Sequence, residues 1–108
     1  MSGWIVEVIA EAQAELAAWP IELRSSLSRI VERVEAVGLE RLGDPFVRHI
    51  EGKLWEMRAS GRRVEGRALY VTVTGRRVVI LHAFPKTTQK TPRQAIELAM
   101  RRAKSLVS

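Results

Sequence analysis

Two apolar runs, Ala68-Leu69-Tyr70-Val71-Thr72-Val73-Thr74 and Val78-Val79-Ile80-Leu81-His82-Ala83-Phe84, stand only three residues apart, and that pairing constrains the fold more than anything else in the chain. Both are rich in β-branched and aromatic residues, which favour strands. Gly75 in the Gly75-Arg76-Arg77 connection tolerates the backbone a tight hairpin turn needs. The second run is apolar at successive positions, so it reads as a strand covered on both faces and placed centrally in a sheet. It breaks into Pro85-Lys86-Thr87-Thr88-Gln89-Lys90, a polar loop that carries two lysines off the strand end.

The segments around this hairpin give the rest of the fold. Trp4-Ile5-Val6-Glu7-Val8 predicts an opening strand. Ile9, Ala12, Leu16 and Trp19 recur at helical spacing over residues 10–19. Pro20 ends that helix and opens the next, from Ile21 to Val37, whose stripe is Leu23, Leu27, Ile30, Val31, Val34 and Val37. Gly38 stops it, and Leu42-Gly43-Asp44-Pro45 makes a turn. A short strand over Phe46–Ile50 is followed by Lys53-Leu54-Trp55-Glu56-Met57-Arg58, where Trp55 and Met57 share one face and Leu54, Glu56 and Arg58 the other. This reads as a half-buried strand with a charged second face. Residues 60–66 read as a mobile basic loop leading into Arg67. Thr91-Pro92-Arg93-Gln94 has the pattern of a capping box, and Ile96, Ala99, Met100, Ala103 and Val107 continue as a last helix. The expected class is α+β, a single domain over residues 1–108: an N-terminal strand and helical hairpin on a mostly antiparallel three- to four-stranded sheet, with a C-terminal helix.

Composition excludes several functions. No apolar stretch approaches a membrane span, and the early Glu7 and Glu11 speak against a signal peptide. Without cysteine, thiolate chemistry and disulfides are ruled out, and a cytoplasmic setting is expected. His49 and His82 are the only imidazoles, with no carboxylate spacing suited to a metal, so no cofactor is expected. His82, inside a strand, reads as a hydrogen-bonded structural residue. Charge is the informative total. Residues 1–47 carry four basic and eight acidic side chains, net −4, whereas residues 48–108 carry fourteen and four, net +10. That asymmetry points to a polyanion-facing half.

The candidate site is a set of cations around one polar carboxylate. Glu56 and Arg58 share a strand face, Arg67 opens the next strand, and Lys86 and Lys90 follow the last. Lys53, Arg62 and Arg63 can ring the same edge. Register is not readable from sequence, so whether Arg58 and Arg67 share a face stays open. Fixed cations around a carboxylate suit phosphodiester chemistry without a metal, with the RNA 2′-hydroxyl as nucleophile. They equally suit a grip on a nucleic-acid backbone with no catalysis.

Lys53–Arg58, Arg67-Ala68-Leu69-Tyr70 and the block from Ile80 to Pro92 resemble the HigB-like, phage-derived branch of the RelE/ParE toxin superfamily. Relatives carry HGF and a lysine pair where this chain has His82-Ala83-Phe84 and Lys86-Thr87. The resemblance implies a RelE-like α+β domain and the toxin of a type II toxin–antitoxin system. Its activity would be ribosome-dependent cleavage of messenger RNA by 2′-hydroxyl attack. It assigns Arg67 and Lys86 to the phosphate and transition state, Arg58 to assistance, and Lys53 or Glu56 to proton movement. Arg48, Arg62, Arg63 and Lys90 would contact RNA backbone, while Tyr70 stacks a base or packs in the sheet. A helix-turn-helix antitoxin, the ribosome and messenger RNA are the implied partners, with any oligomer formed through the antitoxin. Two alternatives stand beside it: a ParE-like gyrase inhibitor and a non-catalytic nucleic-acid-binding accessory protein.

Overall fold

Side-chain alternation along the strands decides the layering. The computed structural model describes residues 1–87 and 89–106, so Thr88 of the polar loop and Val107 of the last apolar stripe lie outside the described residues. Strand β1 (Ile5–Val8) leads into helices α1 (Ala10–Ala17) and α2 (Ile21–Val37) and a 3-10 turn at Leu39–Arg41. Then come β2 (Val47–Glu51), β3 (Leu54–Gly61), β4 (Val64–Val73), β5 (Arg77–Pro85) and helix α3 (Arg93–Lys104). The sheet order is β1-β5-β4-β3-β2, antiparallel except for β1, which runs parallel to β5. Five strands therefore replace the expected three or four, because the opening strand joins the sheet. Strand β5 is internal as expected, but the middle position belongs to β4. Arg77 clamps the β1 edge with two hydrogen bonds to Glu7, at 2.8 and 2.7 Å.

One face packs under α1 and α2, where Leu23, Leu27, Ile30 and Val34 meet Met57, Tyr70, Val78 and Ile80. Val37, expected in this stripe, is 48% exposed at the last turn of α2. The other face packs under α3, whose Ala95, Ile96 and Ala99 cover Leu54, Leu69, Val71, Val79 and Leu81. Strand β3 is consequently covered on both faces over most of its length, with Met57 buried on one and Leu54 and Glu56 on the other, although Trp55 is 38% accessible. Gly66 lies against the Trp19 ring, and a Cβ there would sit 2.8 Å from it. Ala59, Ala68 and Ala83 are the neighbouring small residues of the same cluster.

Two loop expectations are corrected. Residues 60–66 form no mobile loop, since β3 and β4 run to a two-residue turn, Arg62-Arg63, with Arg63 at φ 63°. Helix α2 holds that turn: Glu22 accepts from the Arg62 backbone N–H and Ser26 Oγ from that of Ser60, both at 3.0 Å. Nor does Thr91 cap α3. Pro92 takes the capping position without a side-chain bond, and the Thr91 hydroxyl donates instead to Glu56, at 2.7 Å.

Strand β5 bulges where Leu69 faces His82 and Tyr70 faces Ile80, leaving Leu81 as the extra residue. The groups freed there find partners on both helical layers. Glu15 of α1 accepts from the Ala83 N–H and lies 3.0 Å from His82 Nδ1, and Arg102 of α3 donates to Glu15 and to the Leu81 carbonyl. Burial works to raise the Glu15 pKa, but the bonds from His82, Ala83 and Arg102 together hold it below the ordinary 4.5. A depressed carboxylate stabilises the fold above its unfolded pKa and loses that contribution as pH falls through its folded pKa. The resistance of wild type to urea should therefore fall on acidification below about pH 4.5. Glu15→Gln should be less stable at neutral pH and lose less on acidification. Gly66→Ala should cost about 1–3 kcal/mol in the same assay, because Trp19 must move.

Candidate functional site

Register settles the question that sequence leaves open. Arg58 on β3 faces Arg67 on β4, so the two side chains leave the same surface of the sheet. Arg67 in turn faces Phe84, which brings the end of β5 alongside. The Lys86 N–H continues that ladder to the Glu65 carbonyl at 2.8 Å. On the other side Arg48 faces Glu56, two residues from Arg58 and on its face. Strand pairing alone thus converges cations from β2, β3, β4 and the β5 exit.

They line one open groove of about 710 Å³, bordered by Arg48, Arg58, Arg63, Arg67 and Lys86. Glu65 is the single acid among its described lining residues. A smaller groove, about 380 Å³ between Trp4, Leu42, Trp55 and Tyr70, holds no cation among its described lining residues.

Arg67 is the floor of the basic groove. It is only 2% exposed, and each part of its guanidinium has a different neighbour. Nη1 donates to the Gly66 carbonyl at 3.0 Å and Nη2 to Glu65 at 2.9 Å. Nε lies 3.6 Å from Glu56 Oε2, within ion-pair reach but too long for a hydrogen bond, and has no other partner. Glu56, itself 2% exposed, also holds the Thr91 hydroxyl. This buried carboxylate therefore ties the groove floor to the start of α3. Arg58 Nε is likewise buried without a partner.

Lys86 stands at the groove wall, its Nζ 2.6 Å from the Gln89 carbonyl. Its pKa is lowered, first by partial burial and then by the neighbouring Arg67 and Arg58 cations, against the pull of Glu56 and Glu65.

The remaining residues divide. Arg63 joins the groove, whereas Arg62 is exposed in the adjoining turn, and Lys90 is exposed in the connection after Lys86. Lys53 occupies the turn at the opposite end of β3, about 17 Å along the strand from Arg58. Tyr70 is 1% exposed in the core on the opposite face, where burial raises its pKa. His49 donates from Nε2 to the Gly52 carbonyl at 2.8 Å and packs edge-on against Trp55. Sequence reasoning did not find Glu65 or the Thr91–Glu56 bond. The available signal was the placement of polar Glu65 and Thr91 beside the two strand arginines.

Residues 14–104 match the family described as phage-derived Gp49-like proteins (DUF891). The chain belongs to that family. A chain of the crystal structure of the toxin–antitoxin complex RelBE2 from Mycobacterium tuberculosis is similar in structure. Its TM-score is 0.56 at 20% identity, over 78% of this chain and 99% of that one. At such identity the likeness is one of fold, and it agrees with the expected RelE-like α+β domain. No curated protein matches the chain in sequence.

In this Gp49-like domain the buried Glu56 carboxylate is the counter-charge that lets Arg67 sit under the groove. Removing it leaves a guanidinium with one exposed acid for compensation. Glu56→Ala should lower unfolding stability by roughly 3 kcal/mol in urea titration. Lys53→Ala should change it by less than about 0.5 kcal/mol.

Proposed function

We propose that this chain is the toxin of a toxin–antitoxin pair, an endoribonuclease that cuts messenger RNA on the ribosome. The single observation that carries the reading is the convergence of Arg48, Arg58, Arg63, Arg67 and Lys86 on one groove. The phage-derived family, the resemblance to RelE/HigB-type toxins, and the toxin–antitoxin complex that shares the fold all support it.

The chemistry follows from the positions. The RNA 2′-hydroxyl attacks the adjacent phosphorus, the P–O5′ bond breaks, the leaving 5′-oxygen takes a proton from water, and a 2′,3′-cyclic phosphate remains. Negative charge grows on the phosphoryl oxygens, where fixed guanidinium groups stabilise it. Arg58 is suited to that role because it lines the groove directly opposite Arg67 on the neighbouring strand. Arg67 supports the phosphate from the floor, and Arg48 and Arg63 hold the flanking backbone. Glu56, engaged with Arg67 and Thr91 below the groove, positions these groups rather than taking the proton. Lys86 is the better proton carrier. Its lowered pKa gives it more neutral amine at a given pH than an ordinary lysine, so it can accept the 2′-hydroxyl proton. No metal or cofactor enters this scheme. A cytoplasmic setting and a helix-turn-helix antitoxin covering the basic groove complete the reading.

Purified protein added to translating ribosomes should yield transcripts cut at new ends. Lys86→Ala and Arg58→Ala should each slow cutting by about 10²-fold or more, with Lys53→Ala close to wild type. The cleavage rate should rise with pH, with a midpoint below the ordinary lysine pKa of 10.5. Transcripts left intact by wild type would sink the nuclease reading, and loss of supercoiling in their place would favour the gyrase inhibitor.

A further inference from the structure

The groove of five cations contains one carboxylate, and its position is unusual. Glu65 Oε1 sits 2.9 Å from Arg67 Nη2, yet its side chain is 57% exposed. Arg67 does not need it for burial, since Glu56 lies beneath the guanidinium and is as buried as Arg67 itself. Water screens the carboxylate end of this part-buried pair, and a flexible side chain must be ordered to make it. Glu65 is therefore the partner of Arg67 that water can compete for, and it occupies Nη2, a donor of the groove's deepest cation.

We propose that Glu65 is an internal anion that fills the phosphate position on Arg67 and is displaced by a ligand's phosphate. The proposal rests on the groove being an anion site and deepens the nuclease reading by naming the group that sets its affinity. A phosphodiester carries one negative charge, as Glu65 does, so the exchange leaves the charge around Arg67 unchanged. Arg67 exchanges one oxygen acceptor for another. The displaced carboxylate has open solvent to move into, whereas Glu56 stays below with Thr91. The backbone of Glu65 need not move. Its carbonyl accepts from the Lys86 N–H, so the strand stays paired while the side chain swings. Selectivity follows, because a weak or singly placed anion does not repay the loss of Glu65. A phosphate that also reaches Arg58 and Lys86 does.

The test uses inorganic phosphate, so that it does not depend on RNA being the natural ligand. Titration is followed by the NMR signal of the Arg67 guanidinium, with thermal unfolding confirming that each variant is folded. Glu65→Gln should bind phosphate roughly five- to tenfold more tightly than wild type, as expected when a close opposing charge is removed. Glu11→Gln, which removes an exposed acid from α1, should stay within about twofold of wild type if the effect is local. Equal binding by Glu65→Gln and wild type overturns the proposal. So does a gain as large in Glu11→Gln, or an Arg67 signal that phosphate moves in neither protein. A 2′-deoxy single-stranded oligonucleotide forms the second arm. If phosphate binding tightens in Glu65→Gln but the oligonucleotide binds neither protein, the internal-anion assignment stands and the nucleic-acid reading fails.

Discussion

Arg67 is the constraint that the rest of the site obeys. A guanidinium taken almost wholly out of water must be compensated within a few ångströms, or the domain would not tolerate it. The chain meets this with Glu56 on the neighbouring strand, in the same surface and equally buried. Compensation by Glu56 at Nε leaves Nη2 to Glu65, the acid that lines the groove. It also fixes where the polar connection after β5 can run, because Glu56 holds Thr91. Lys86 and Lys90 are therefore carried by a segment anchored at both ends. One end is the β5 ladder and the other is the carboxylate that steadies Arg67.

A second polar node stabilises the opposite end of the same arrangement. The extra residue at Leu81 breaks the β4–β5 ladder, and a bulge in a doubly covered strand exposes backbone groups that water cannot reach easily. Glu15 and Arg102 satisfy them from α1 and α3, with His82 as a third member. The bulge has a consequence for the groove. By shifting β5 one residue against β4, it sets Phe84 opposite Arg67 and delivers Lys86 beside Glu65. Without the extra residue, the side chains after it would point to the other face.

Much of the fold was legible because its signals are local. Pro20 and Gly38 bound α2 as read, since proline cannot continue the first helix and Gly38 takes φ 101°. The β4–β5 hairpin was readable from Gly75, which adopts φ 92°. The β3–β4 turn was not, because Arg62-Arg63 carries none of the glycine or asparagine that marks tight turns; α2 holds it through Glu22 and Ser26 instead. Thr91 has the local pattern of a cap, but a tertiary acceptor, Glu56, wins its hydroxyl. The groove's cations Arg58, Arg67 and Lys86 stood out as charges in or beside apolar strands. Whether they met depended on register, which sequence does not encode locally. The same limit explains Tyr70, whose alternation places it in the core once β3 and β4 are paired.

The charge asymmetry now has a spatial meaning. The acidic first half forms β1 at the sheet edge and α1 and α2, which cover one face of the sheet. The basic second half forms most of the sheet, α3 and the groove on the other. The first half lends the second two important charges: Glu15 crosses to the β5 bulge, and Glu22 to the β3–β4 turn beside Arg63. Three of the four acids of the basic half are engaged by its own arginines, since Glu56 and Glu65 both contact Arg67 and Glu51 is paired with Arg93. A surface left with so little negative charge favours polyanions over long range, whatever their sequence. Selection among them must come from the groove itself, where a ligand has to satisfy Arg58 and Lys86 while it competes for Arg67. A rigid sheet suits that demand, because strand pairing fixes the cation spacing before any ligand arrives.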